Sequence, residues 1–260
     1  MVQNLQTIDL GELGKQKFCK FCHVIKELLI ERHVTFDLIV ASGNSGLIMA
    51  KFTELLYEYL GKPAPDILRI PFYRFFPGKE ENFDNYILLT SIIEELKSCG
   101  NVNSVLFVDD EIEKGATAFG SLELINAALG KLGRPRIQNF YIVAEDHGFM
   151  LPTKYPEVKF FPNDIQTGDY VKAIFFTTPP ELEKPLIDVL GKDEVFRFHN
   201  RRSVLFGLPV KDFNEGKPIF TNKYLTLAKE TISNLATLQE AYYNHLRSLI
   251  NDCLGGTWSF

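Results

Sequence analysis

The stretch Val105–Thr117, Val-Leu-Phe-Val-Asp-Asp-Glu-Ile-Glu-Lys-Gly-Ala-Thr, decides how the rest of the chain is read. Ser104–Val108 is an apolar run with two valines, the pattern of a strand buried on both faces, and its polar residues begin abruptly at Asp109. Open α/β sheets bind ligands just past the carboxyl ends of their strands, so Asp109 and Asp110 are expected over a crevice, beyond the strand. Gly115 and Thr117 then open the helix-patterned run Ala118–Leu132. A helix's first turn presents unpaired N–H groups, glycine lets a phosphate approach the backbone, and threonine adds a hydroxyl donor. An acidic half and an anion-binding half are thus joined in one stretch.

Outward from this centre the pattern alternates. Lys15–His33 has helical spacing, Phe36–Ala41 reads as a buried strand, and Leu47–Leu60 as a second helix. Ser42, Gly43, Asn44, Ser45 and Gly46 lie between that strand and helix, a second small-residue turn of the kind that receives anions. Asp66–Ile70 is a short apolar run and Tyr86–Leu96 a further helix leading back to Ser104. Beyond Leu132, Gly133 and Pro135 end the helix, and Ile137–Ala144 forms a strand closing on Glu145 and Asp146. Strands and helices in alternation imply an α/β fold with a doubly wound, mainly parallel sheet.

The central stretch resembles the PRPP-binding loop of the type I phosphoribosyltransferases: four apolar residues (Val105–Val108), two acids (Asp109, Asp110), and a Gly-x-Thr (Gly115, Ala116, Thr117) after the acids. In that family the acid pair holds the ribose hydroxyls of 5-phosphoribosyl 1-diphosphate (PRPP), and the following loop cradles the 5-phosphate. The resemblance implies a phosphoribosyltransferase-like fold over residues 1–150. It also implies a PRPP site of Asp109, Asp110, Glu113, Lys114, Gly115, Ala116 and Thr117, with magnesium arriving mainly through PRPP and lying near Asp109 and Asp110. Lys114 departs from the family, which has a small residue there; it brings a positive charge instead. Ser42–Gly46 resembles the family's pyrophosphate loop, although many members carry Arg or Lys where this chain has Asn44 and Ser45.

The aromatic-rich stretch Pro71–Asn85 stands where the family has a loop that closes over substrate, so Arg74 and Lys79 are the candidates for the missing charge at pyrophosphate; the alternative is a surface loop pinned by its aromatics. Glu113 matches the place of an acid thought to act as a base toward incoming purines, and with Asp109 and Asp110 it makes up the catalytic set. Glu145 and Asp146 are the base-binding candidates, because carboxylates accept from amino or ring N–H groups. The implied reaction is transfer of 5-phosphoribosyl from PRPP to a nitrogen nucleophile with release of pyrophosphate. Its alternative is a non-catalytic protein of the same fold that senses PRPP or a nucleotide. A Val-Asp-Asp-Glu run also ends the first strand of response-regulator receivers, but here a whole α/β segment precedes it.

The 260 residues are 45% hydrophobic and 23% charged, which is globular composition. A net charge of −5 gives no general reason to expect nucleic acid. No apolar run is long enough to span a bilayer, and Met1–Gly14 does not read as a signal segment, so a cytoplasmic location is the default expectation. Cys19, Cys22, Cys99 and Cys253 are too few and scattered for a disulfide framework. Cys19 and Cys22 with His23 match a haem-attachment or zinc pattern, but they fall within the helical spacing of Phe18, Phe21, Ile25 and Leu28.

Residues 151–260 form an added, largely helical C-terminal region: a strand near Val171–Phe176, a short helix to Leu190, and the apolar stripe of Asn222–Leu254. One continuous helix over that stripe would run about 50 Å at 1.5 Å per residue, so it is expected to break into two, to cap the active site, or to pair in a homo-oligomer. The basic cluster Arg197, His199, Arg201 and Arg202 reads as a solvated face or as a contact for phosphate groups.

Overall fold

A computed structural model describes residues 11–71, 83–165, 180–190, 194–214 and 217–255. The chain divides into two compact units. One comprises Val24–Gln166 with Lys211–Phe220; the other comprises Met1–His23, Thr167–Val210 and Thr221–Phe260. The strand that follows residue 150 pairs in the sheet, and a late hairpin groups with the same unit.

In the first unit, β1 (Leu38–Ser42), α2 (Gly43–Tyr59), β2 (Asp66–Ile70), α3 (Phe83–Lys97), β3 (Ser104–Ile112), α4 (Ala116–Lys131), β4 (Asn139–Asp146) and β5 (Val158–Ile165) follow in order, after α1 (Gly11–Lys26) and one π-helical turn at Glu27–Glu31. The sheet runs β2-β1-β3-β4-β5 and every pairing is parallel. β1 and β4 are almost wholly buried along their length, as parallel strands covered on both faces must be. Alternate residues Leu38, Val40, Val105, Phe107, Phe140 and Ile142 share one core with Leu88, Ile92 and Leu96 of α3 and Leu122, Ile125 and Leu129 of α4. α2 packs on β1 and β3 outside that core. This is an α/β unit compatible with a doubly wound fold.

The strand order places a reversal of direction between β1 and β3, since the chain runs outward from β1 to β2 and returns to β3. Crevices in open α/β sheets form at such a point, outside the carboxyl ends of the strands. A receiver would need its acid pair on the first strand; here the pair lies on the third, β3. Asp37 braces the other end, its Oδ2 accepting from the backbone N–H groups of Asn103 (2.8 Å) and Ser104 (2.9 Å).

The second unit holds α1 as far as His23, α5 (Pro180–Leu190), α6 (Glu194–Leu205), α7 (Lys223–Thr231) and α8 (Leu235–Gly255). The long stripe breaks into α7 and α8 because Ile232 turns to extended backbone. Leu235, Leu238, Tyr242, Leu246, Ile250 and Cys253 of α8 are buried within the chain itself, so the stripe does not call for a homo-oligomer to cover it. Cys19 and Cys253 are disulfide-bonded, joining α1 to α8 across a sequence separation of 234. Spacing along the chain gave no hint of this pairing. Cys22 remains a buried free thiol, its pKa pushed up by burial, and takes no part in a haem or zinc motif with Cys19.

The basic cluster is also corrected. Arg201 and Arg202 are buried, and Arg202 Nη2 lies 3.0 Å from Glu183 Oε1 of α5, an internal ion pair in place of a solvated face. Val171–Phe176, Arg197 and His199 lie outside the residues whose structure or side chains are described. Among the described residues no helix is long and apolar enough to cross a membrane.

Candidate functional site

β3 does not stop at Val108. It continues through Asp109, Asp110 and Glu111 to Ile112, correcting the expectation that the acids lie beyond the strand. Val108 pairs with Val143 and Glu111 with Glu145, so two residues, Asp109 and Asp110, stand opposite the single Ala144. This is a β-bulge, which kinks the strand and re-aims its side chains, and bulges recur beside active sites. Two adjacent carboxylates would disrupt a regular buried ladder; the bulge lets the chain carry both where the sheet ends.

Asp109 is 7% exposed, and Asp110 is half-buried. Ser45 Oγ donates to Asp109 Oδ1 at 2.8 Å, and the Asp110 backbone N–H donates to the same oxygen at 2.9 Å. Burial, and then the neighbouring Asp110 charge, push the Asp109 pKa well above the ordinary carboxylate range. The Ser45 bond also ties the acid pair to α2. Ala41 is level with Val108 across β1 and β3, so the two strand ends meet here.

The Ser42–Gly46 segment is less a loop than the start of a helix: α2 begins at Gly43, directly after β1. Gly43 enters with φ +68°, and Gly46 sits 3.3 Å, measured from an added Cβ, from Ala41 C and Val108 O, so α2 starts hard against β1 and β3. Ser42 occupies the N-cap and is buried, yet its hydroxyl makes no capping bond and has no hydrogen-bond partner among the described residues. Asn44 Oδ1 accepts from the backbone N–H of Lys211 at 2.6 Å. Lys211 is the second residue of β6 (Val210–Asn214), which forms a hairpin with β7 (Lys217–Thr221), and no sequence signal linked it to a turn 167 residues earlier.

Gly115 is the N-cap of α4, with φ +70°, and lies against Phe119 and Phe149. Ala116 is exposed and Thr117 half-buried in the first turn of α4. Glu113 and Lys114 project into solvent, their side chains 70% and 85% exposed and 3.8 Å apart. Asp146 Oδ1 accepts from the N–H groups of Gly148 (2.9 Å) and Phe149 (2.8 Å), which makes that oxygen the pivot of a turn. Glu145 is buried beside His147, Oε1 to Nε2 3.3 Å, with Glu111 Oε2 at 4.0 Å from the same nitrogen. His147 was not singled out from sequence, although it follows the strand-end acids by one residue. Arg74 and Lys79 lie outside the described residues.

Among the described residues no group of three or more His, Cys, Asp or Glu side chains is disposed to hold a metal ion. Carboxylate oxygens are the donors magnesium takes, and magnesium is commonly held by one or two carboxylates together with the phosphates of a ligand. Asp109 and Asp110 fit that second arrangement, in which the ion comes with the ligand. No family model and no curated protein sequence matches the chain.

Proposed function

We propose that this chain is a phosphoribosyltransferase-like protein that binds PRPP with magnesium and transfers its 5-phosphoribosyl group to a nitrogen nucleophile, a base, releasing pyrophosphate. The observation that carries the reading is the acid pair on the bulge of β3, bonded through Ser45 to the first turn of α2 where the sheet changes direction. One side of that crevice accepts hydrogen bonds and the other donates them. PRPP needs both: its ribose hydroxyls are donors, and its phosphates are polyanions.

In the reaction, the bond from ribose C1 to the diphosphate oxygen breaks, with its electron pair leaving on pyrophosphate. The acceptor nitrogen forms the new bond to C1, and its proton passes to a base. Asp110, at the rim, accepts from the ribose hydroxyls, while Asp109 is held in place by Ser45 and the Asp110 N–H. Both suit a sugar that becomes cation-like as the leaving group departs. The N–H groups opening α4, with Thr117, receive the 5-phosphate, and the N–H groups opening α2, with Ser42, receive the diphosphate. Magnesium bound with PRPP supplies charge neutralisation of the departing diphosphate. Glu113 is the base by resemblance to the family; Glu145, beside His147 at the end of the adjacent strand β4, is the alternative.

The non-catalytic reading, a sensor of PRPP or of a nucleotide, draws its support from the uncharged residues of Ser42–Gly46 and from the solvent exposure of Glu113. Titration calorimetry with PRPP and magnesium, followed by a pyrophosphate-release assay over a panel of bases, separates the readings. Binding with turnover supports the transferase, binding without turnover supports the sensor, and absence of PRPP binding removes the transferase and leaves the sensor only in its nucleotide form, which a nucleotide titration then decides.

A further inference from the structure

A diphosphate at the first turn of α2 would bring several negative charges next to Asp109 and Asp110, and the turn itself carries no cation. Backbone N–H groups and the Ser42 hydroxyl are donors without net charge, so any protein counter-charge beyond that of magnesium has to come from outside the turn. The hairpin supplies one. The Lys211 backbone N–H donates to Asn44 Oδ1 at 2.6 Å, which fixes β6 against the second residue of α2. Lys211 and Phe213 lie on the same face of β6, and the ammonium is 5.4 Å from the Phe213 ring centroid. Burial lowers the Lys211 pKa, the mark of an ammonium partly removed from water.

We propose that the β6–β7 hairpin is a working part of this site and that Lys211 provides the positive charge for a diphosphate group bound at Ser42–Gly46. The proposal rests on reading that turn as a diphosphate site. What it adds is a residue from the far end of the chain, delivered by a hairpin that groups with the α/β unit. The side chain of Asn44 has a definite purpose in this scheme: it spends its acceptor on the Lys211 backbone, so the anchor survives any substitution of the lysine side chain.

The test is calorimetry on the full chain with inorganic pyrophosphate and magnesium, and separately with PRPP and magnesium, comparing the parent with Lys211→Gln and Lys211→Arg. Loss of one charge-assisted contact is expected to weaken pyrophosphate binding roughly ten- to a hundredfold in Lys211→Gln and to flatten its salt dependence. Lys211→Arg retains most of the affinity. A measurement on the parent alone guards against a variant that misfolds: pyrophosphate should protect Lys211, but not the exposed Lys114, from amine acylation read by mass spectrometry. If the parent binds pyrophosphate while Lys211→Gln binds it equally well, or Lys211 is acylated at the same rate with ligand, the assignment of Lys211 is overturned and the site stands. If the parent binds neither ligand, the diphosphate reading falls and Lys211 with it.

Discussion

Replacing Gly115 by alanine tests the wall of the site, and Gly43 provides its internal control. Both glycines open a helix at left-handed backbone, φ +70° and +68°. A side chain in that conformation costs about 1–2 kcal/mol, offset by about 0.4–1 kcal/mol because alanine restricts the unfolded chain. That is the whole expected cost at Gly43, where an added Cβ meets nothing within 4 Å. At Gly115 the same Cβ would stand 2.6 Å from Phe119 Cε2 and 2.7 Å from Phe149 Cε2. Those rings cannot simply swing aside. Phe119 is stacked on Tyr155 at 4.5 Å, and Phe149 meets Phe160 edge-on at 5.0 Å. Overpacking of this kind costs about 1–3 kcal/mol more. Gly43→Ala is therefore expected to lose up to roughly 1.6 kcal/mol, and Gly115→Ala about 1–3 kcal/mol more than that variant. Urea denaturation followed by circular dichroism reads the difference directly. Equal losses for the two variants would refute the packing of Phe119 and Phe149 against the start of α4.

Asp109→Asn should stabilise the protein at neutral pH and weaken PRPP binding. Because the folded-state pKa of Asp109 is raised, the unfolded chain binds fewer protons above its own carboxylate pKa, and the parent loses stability as pH climbs from there through the folded value. Asparagine keeps an oxygen for Ser45 and carries no charge, so the stability gap between variant and parent should widen over that window; a gap that does not change with pH would show that Asp109 carries no such burden. Glu113→Gln is expected to keep PRPP affinity and lower turnover by ~10²–10⁴-fold, the usual contribution of a general base. Unchanged turnover across pH would pass the role to Glu145 and His147. Breaking the Cys19–Cys253 bond by Cys19→Ser or by a reductant should lower stability by up to about 5 kcal/mol, since the bond closes a loop of most of the chain. Thermal melts with and without reductant check this: the parent should respond, the Cys19→Ser protein should not, and a parent indifferent to reductant would count against the bond.

The α/β alternation, the central buried strand and the two small-residue turns were legible in the sequence because each rests on local chemistry. Apolar runs of strand length such as Val105–Val108 have few other uses, and glycines before a helical pattern mark where the chain turns. Even there, locality had a limit. Asp109 and Asp110 look like the residues after a strand, and only pairing with β4 carries β3 past them on a bulge, since register belongs to two strands and not to one. Asp146 looked like Glu145, yet a local turn engages one oxygen of Asp146, and only the register of β3 with β4 brings Glu111 to the His147 that stands beside Glu145. Arg201 and Arg202 read as surface because charge normally is; Glu183 on another helix is what allows Arg202 inside. The same holds for Cys19 with Cys253 and for Asn44 with Lys211, contacts that join residues 234 and 167 positions apart. Composition and periodicity act over a few turns of chain, whereas these pairings exist only once packing has brought distant segments together.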